Sequence, residues 1–118
     1  MSEARYALLI RTSPFPGREA EFTEWYDEIH LAEVLAVPGF VSVRRYAAPA
    51  APDGRRRFLA IYAIATGDIE ATMARFERAR PDMSTTPALD PSSVDIELVT
   101  AVTGVVTPAV APAVTMED

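Results

Sequence analysis

The fold of this protein is decided by residues 24–46, which read EWYDEIHLAEVLAVPGFVSVRRY. The apolar residues at the start of this stretch recur with the spacing of an amphipathic helix, and Pro38-Gly39 ends that helix. The run of apolar and basic residues that follows predicts a strand. The stretch also contains His30, the only histidine of the chain. His30 is therefore the most natural acid or base near neutral pH.

Polar residues interrupt the apolar stripe of this helix. At about 100° per residue, the stripe is predicted to contain Phe22, Trp25, Tyr26, Ile29 and Ala36. Glu33 falls within the stripe and His30 lies at its edge, one turn after Tyr26, so we expect these three polar tips to cluster. Asp27 is expected to lie in solvent. A carboxylate on a buried stripe needs a partner, and His30, an arginine such as Arg44 or Arg45, or a water-filled pocket would provide one.

The remaining sequence predicts four strands and two helices in the order β-α-β-β-α-β. Strands are expected at 6–11, 40–47, 57–65 and 94–103, and helices at about 18–37 and from Asp68 or Thr66 to Pro81. This order predicts the ferredoxin-like α+β fold, a four-stranded antiparallel sheet with two helices on one face. Residues 1–103 are expected to form the single domain. Residues 104–118 form a proline-rich apolar tail, either disordered or placed on a partner subunit.

Both faces of the predicted sheet carry apolar side chains. In the third strand, Tyr62 and its neighbours at even positions alternate with Leu59, Ile61 and Ala63. A monomer would leave one face in water, so we expect the sheets of two copies to pack together. The second strand alternates in the same way, but the pattern does not say whether Arg44 or Arg45 faces the helices.

Composition excludes several classes of function. The net charge of −6 argues against a nucleic-acid partner or an anionic membrane surface. The chain has no cysteine and one histidine, which excludes disulfides and a multi-histidine metal site within one chain, so no metal ligands are predicted. Neither a membrane span nor a signal-peptide pattern is visible, and a cytoplasmic location is expected.

The helix, the stop and the strand together resemble the EthD-like group of dimeric α/β-barrel proteins. In that group a Trp-Tyr-x-x-x-His segment, here Trp25 to His30, leads through a Val-Pro-Gly turn to a strand that carries arginine and tyrosine. The resemblance implies a homodimer whose two sheets form a barrel, with a cavity between the sheet and the helices of each subunit. Ala32 stands where many relatives have proline, so a straighter helix is expected.

The resemblance also implies a class of activity. Relatives include cofactor-independent monooxygenases, polyketide cyclases, lactone isomerases and dehydratases, and also proteins without an assigned activity. We predict a cofactor-independent enzyme that acts on a small cyclic or aromatic metabolite, such as a polyketide-type or catabolic intermediate. The reaction would be cyclisation, isomerisation or dehydration by proton transfer through histidine. The alternatives are a cofactor-free monooxygenase of a phenol and a non-catalytic small-molecule binder.

The predicted site contains seven residues. The catalytic group is His30, whose tautomer would be fixed by Glu33 or Tyr26. The substrate-binding residues are Trp25 and Tyr62 as apolar walls, with Arg44 or Tyr46 holding a developing enolate. Haem ligation by His30 is conceivable, but Glu33 beside it argues against it, and no cofactor is expected. A purely structural cluster, in which the polar tips stabilise the core, is the remaining interpretation.

Overall fold

A computed structural model describes residues 3–109 of the chain, which form one sheet of four strands covered by helices. The strands are β1 (Tyr6–Thr12), β2 (Phe40–Ala47), β3 (Phe58–Ile64) and β4 (Asp95–Thr100). Every neighbouring pair is antiparallel, and the order across the sheet is β2-β3-β1-β4. The structure therefore has the predicted ferredoxin-like α+β fold.

The first helix of the structure consists of three consecutive segments. These are α1 (Glu19–Trp25), a π-helical segment (Tyr26–His30) and α2 (Leu31–Leu35). The second helix, α3 (Ile69–Ala79), begins at Asp68, whose side chain accepts a hydrogen bond from Ala71 N–H. Pro81 follows α3 inside a short 3₁₀ turn, Arg80–Asp82. None of the helices among residues 3–109 is long and apolar enough to cross a membrane.

The π-helical segment changes which residues of the first helix face the core. The N–H of Leu31 donates to the carbonyl of Tyr26, a bond over five residues, so this turn holds one residue more than an α-helical turn. As a result the inward positions follow at intervals of four, from Phe22 and Tyr26 through His30 to Val34. The prediction that Ile29 and Ala36 are buried is wrong. Both residues are exposed, because the extra residue rotates them outward.

A bulge in β2 changes which residues of this strand face the core. The register with β3 shifts between Phe40 and Ser42, which places Phe40 in the core and leaves Val41 exposed. The regular alternation of the sequence predicts Phe40 on the same face as Arg44, and the bulge explains the difference. Beyond the bulge the alternation is regular, and Arg45 lies opposite Ala60 of β3, on the face that the helices cover.

The core lies between the helices and one face of the sheet. Its largest fully buried apolar side chains come from both layers: Leu8, Phe22, Val34, Tyr62 and Ile64. The turn between α2 and β2 brings the backbone close to α3, because Gly39 has a φ of 102° and an added Cβ would lie 2.9 Å from Thr72 Cγ2. Only glycine fits both conditions without strain.

The other face of the sheet is not covered by the described residues. Its centre is formed by Leu9, Leu59 and Ile61, all of them half-buried. Arg44 and Tyr46 lie on the β2 edge of this face, since they pair with Ile61 and Leu59. The opposite, β4 edge carries the exposed residues Asp95 and Glu97. Residues 104–109 of the tail are exposed and have no regular structure, and residues 110–118 lie outside the described part of the chain.

Candidate active site

A cavity of about 180 Å³ lies between the sheet and the helices, and His30 is part of its wall. Most of this wall is apolar and comes from the sheet, α3 and the loop that follows α3: Ile10, Phe76, Met83, Leu89, Val94 and Ile96. The first helix contributes Trp25, Tyr26 and His30, and Thr12, Ser84 and Thr85 add hydroxyl groups. The volume is below the usual range for drug-sized ligands and fits a molecule of about one ring.

His30 and Glu33 form a close pair on one side of the helix. His30 Nδ1 lies 3.2 Å from Glu33 Oε1, and the two side chains are 17% and 26% exposed. An ionised carboxylate only accepts hydrogen bonds, so Nδ1 of the neutral imidazole carries the hydrogen in this arrangement. Nε2 then holds the free electron pair and is the basic atom of the ring.

Ser84 anchors Glu33 from the loop after α3. Its backbone N–H donates to Glu33 Oε2 over 2.8 Å, and its hydroxyl donates to Oε1 over 3.1 Å. The indole N–H of Trp25 in turn donates to the Ser84 hydroxyl over 3.1 Å. The carboxylate therefore has a full set of partners without an arginine. Of the partners considered for Glu33, His30 is present, whereas no ion pair joins Glu33 to Arg44 or Arg45 among the described residues.

Two aromatic rings fix the plane of the imidazole. The indole of Trp25 stacks on His30 with ring centroids 4.5 Å apart and an interplanar angle of 17°. The ring of Tyr26 meets His30 edge-on at 5.1 Å. The contact with Trp25 depends on the π-helical turn, which lets residues at positions i and i+5 approach each other, whereas Tyr26 and His30 have the ordinary i to i+4 spacing. Of the two residues proposed to fix the tautomer, Glu33 contacts Nδ1, whereas Tyr26 makes a ring contact.

Burial and charge tune both members of the pair. Burial lowers the pKa of His30 and outweighs Glu33, which acts to raise it, while the positive charge of Arg80 lowers it further. For Glu33 partial burial acts to raise the pKa, but the hydrogen bonds from Ser84 and His30 prevail and lower it. At neutral pH the site therefore holds a neutral imidazole beside a carboxylate, which is the state of a general base.

Of the two predicted site tyrosines, Tyr26 lies in the cavity wall and Tyr62 does not. Tyr26 is part of its wall, and burial raises the pKa of its phenol, so the hydroxyl stays protonated and able to donate. Tyr62 is fully buried in the core and is not among the residues of the wall. Its hydroxyl lies beside that of Tyr26, and burial raises the pKa of the Tyr62 phenol. The structure therefore places Tyr62 in the core and not in the wall of the cavity, where it was predicted.

The basic residues of β2 are divided between the two faces of the sheet. Arg45 lies beneath the helices, with its guanidinium 4.5 Å from the ring of Tyr26 and 5.1 Å from that of Phe58. It pairs with Asp27 over 2.6 Å, so Asp27 is not simply a solvated charge as predicted. Arg44 and Tyr46 lie on the uncovered face, away from the cavity, because the pleat alternates at each residue. The prediction that one of these two residues faces the cavity is wrong for the structure of this chain.

The site predicted by sequence misses most of the cavity wall, and among the missed residues Ser84 and Arg80 bear most directly on the His30–Glu33 pair. Ser84 lies in a segment whose composition predicts only a polar loop, and nothing in its spacing connects it to Glu33. The sequence pattern predicts that Arg80 lies on the polar side of the second helix, at its basic end. In the structure, the 3₁₀ turn at Pro81 places Arg80 in the cavity wall. In the sequence, only the proline that directly follows Arg80 indicates a turn at this end of the helix. Residues 3–109 contain no group of three or more acidic or histidine side chains that could hold a metal ion.

Comparison with known proteins reveals similarity at the level of the fold. No family model matches the chain, and no curated protein matches it. Among solved structures, an ethyl tert-butyl ether D (EthD) family protein from Bacillus halodurans C-125 has a TM-score of 0.52 at 14% identity, over 80% of this chain and 96% of that chain. A protein described as a "putative monooxygenase", from Shewanella loihica PV-4, has a TM-score of 0.51 at 16% identity, over 87% of this chain and 98% of that chain. The resemblance to the EthD-like fold is thus confirmed.

Proposed function

We propose that this protein is a cofactor-independent enzyme in which His30 removes a proton from a small cyclic or aromatic metabolite. The observation that carries the proposal is the 3.2 Å contact between His30 Nδ1 and Glu33 on an imidazole that lines an apolar cavity. A carboxylate that orients a neutral imidazole through Nδ1 leaves Nε2 free to accept a proton, as in other histidine general bases.

The proposed step is proton transfer at a carbon next to a carbonyl. Nε2 of His30 takes the proton, the electron pair stays on the substrate as an enolate, and Glu33 stabilises the resulting imidazolium. The phenol of Tyr26 lies in the same wall and is the donor that we assign to the enolate oxygen. The imidazolium then returns its proton. Transfer to another carbon gives isomerisation, and transfer to the alkoxide formed when the enolate carbon attacks a second carbonyl gives cyclisation. Transfer to a β-hydroxyl group, which leaves as water while the C=C bond forms, gives dehydration.

The reaction class is testable before the substrate is known. Ring ketones and cyclic 1,3-dicarbonyl compounds, incubated with the protein in D₂O, should exchange their activated hydrogens faster than in buffer, as measured by NMR. His30→Ala should remove the acceleration, while Glu28→Gln, a change of an exposed residue on the same π-helical turn, should retain it. Exchange that is the same with wild type, His30→Ala and buffer would contradict the proposal.

A monooxygenase is the second candidate, favoured by the apolar cavity and by the fold shared with the Shewanella loihica protein that carries this description. His30 would then deprotonate an electron-rich phenol. The phenolate would transfer four electrons to O₂, with one oxygen atom entering the ring as a quinone carbonyl and the other leaving as water. Turnover that requires dissolved oxygen distinguishes this reaction from isomerisation, cyclisation and dehydration. Binding without any turnover would leave the third possibility, a small-molecule binder.

We also propose that the protein is a homodimer built on the uncovered face of the sheet. Leu9, Leu59 and Ile61 offer an apolar centre that the described residues leave in contact with solvent. Arg44 lies on one edge of this face, whereas Asp95 and Glu97 lie on the other, where their two negative charges exceed the one positive charge of Arg11 that contacts both. A two-fold axis along the strands would place the basic edge of one copy over the acidic edge of its partner, which is the self-complementary arrangement that a symmetric dimer requires.

A further inference from the structure

Charge is distributed unevenly around the cavity. Among the described residues of its wall, Arg80 is the one side chain with a permanent charge, and no carboxylate is part of the wall. Glu33, the nearest acid, is turned toward His30 and Ser84 and is fully hydrogen-bonded there. The whole chain has a net charge of −6, so this positive lining contrasts with the rest of the surface. A cavity with such a lining selects an anion over a cation.

Arg80 is placed to meet a ligand at the opening of the cavity. It lies in the 3₁₀ turn after α3, its side chain is 43% exposed, and its guanidinium lies 5.7 Å from the centre of the Phe76 ring. Its ion-pair partner is Glu77, three residues earlier, at 3.0 Å and 56% exposed. Pairs as exposed as this contribute little free energy. A ligand anion can therefore replace Glu77 at small cost.

The surroundings favour one singly charged group. The turn follows the C-terminal end of α3, where the helix dipole is negative and opposes a doubly charged phosphate. Arg80 is a single guanidinium, and its planar fork matches the two oxygens of a carboxylate. The remaining volume, about 180 Å³ in total with apolar walls, leaves room for one ring.

We propose that the natural ligand is a small cyclic or aromatic carboxylic acid whose carboxylate binds Arg80 while its ring enters the apolar cavity beside His30. This assignment deepens the proposed function and rests on it for the identity of the site. It gives the substrate a fixed orientation, because the carboxylate anchors one end at the opening and the reacting carbon lies further in. Arg80 is thus a specificity-determining residue.

Matched pairs of ligands test the assignment without any turnover. Benzoate against benzamide, and cyclohexanecarboxylate against its carboxamide, are titrated into the protein while the ring resonances of His30, the only histidine, are followed by NMR. We expect each carboxylate to bind at least about tenfold more tightly than its amide, as for other charge-assisted Arg contacts. Arg80→Gln should abolish the difference, and Arg80→Lys should retain part of it.

The control is Arg78→Gln, which removes the same charge from an exposed position of α3 outside the cavity wall and should leave the preference unchanged. Equal affinity for acid and amide in the wild type, an unchanged preference in Arg80→Gln, or no binding of any ring acid in the millimolar range would overturn the assignment. A carboxylate preference that depends on Arg80, combined with no deuterium exchange, would reject the enzyme and retain the binding site. Deuterium exchange without a carboxylate preference would reject the carboxylate site at Arg80 and retain the enzyme.

Discussion

The imidazole of His30 stacks on the indole of Trp25 at a centroid distance of 4.5 Å, five residues away along the same helix. A regular α-helix does not bring residues with this spacing together, and the π-helical turn between Tyr26 and His30 does. The same indole donates to the Ser84 hydroxyl, which donates to Glu33, which holds His30. The helix and the loop after α3 thus form one closed network around His30.

The protonation of His30 should respond in opposite directions to changes of its two charged neighbours. Because Glu33 acts to raise the pKa of His30 and Arg80 acts to lower it, Glu33→Gln should lower that pKa and Arg80→Gln should raise it. Nitrogen-detected NMR of the single histidine measures both the pKa and the tautomer. Glu24→Gln, at an exposed position of the same helix, serves as the control. A wild-type imidazole with its hydrogen on Nε2 would contradict the assigned base.

Stability should depend on pH through the same residue. Burial lowers the pKa of His30 below its ordinary value of 6.5 in the folded state, so the unfolded chain binds the proton more readily. The free energy of unfolding is therefore highest above pH 6.5 and falls as the pH decreases from there through the folded-state pKa of His30. Urea titrations at a series of pH values should show this loss, and His30→Gln should flatten the profile in that window. An unchanged slope in the variant would mean that other groups cause it.

Ser84→Ala should destabilise the fold by about 1 kcal/mol, the usual contribution of a partly buried hydrogen bond. The change removes the acceptor of the Trp25 indole and one donor to Glu33, although the backbone N–H of residue 84 remains. With one donor lost, the pKa of Glu33 should rise. Thr85→Ala removes an exposed hydroxyl from the adjacent position and is the matched control for urea unfolding. Equal stability of both variants would contradict a structural role of the network.

Asp27→Asn should destabilise the protein by about 1–2 kcal/mol, because it removes the counterion of Arg45, although Asp27 itself is 49% exposed and solvent screens part of the effect. The side chain of Arg45 is only 13% exposed, and its Nε and Nη2 already have no partner among the described residues. Arg45→Met, which retains an apolar stem between the aromatic rings, should cost less than Asp27→Asn. Thermal and urea unfolding compare the two, with Arg78→Met as the exposed control. The opposite order would mean that cation–π contacts outweigh the ion pair.

Analytical ultracentrifugation should show a dimer for the wild type and a monomer for Ile61→Asp. The substitution places a charge at the apolar centre of the uncovered sheet face, where two copies are proposed to meet. Ile29→Asp is the control, since Ile29 is 46% exposed on the first helix and far from that face. Circular dichroism verifies that both variants are folded. A monomeric wild type, or a dimer that survives in Ile61→Asp, would contradict the proposed interface.

The element order followed from the sequence because it depends on local patterns. The period of two in 58–64 and the cap at Asp68 are properties of neighbouring residues, and β2 was predicted with its observed bounds. The same local reasoning identified His30 and Glu33 as a pair, since residues three apart on a helix always approach each other.

The tertiary structure alone decided what surrounds that pair. The π-helical turn and the β2 bulge each add one residue to a regular repeat, and each rotates the following side chains onto another face. Periodicity misplaces Ile29 and Phe40 for this reason. Ser84 and Arg80 reach the cavity from a loop more than 40 positions further along the chain, and no spacing rule connects residues so far apart. The sequence by itself determined the fold and the pairing of His30 with Glu33, while packing between distant segments determined the other partners of that pair, the direction of its pKa shifts and the charge of the cavity.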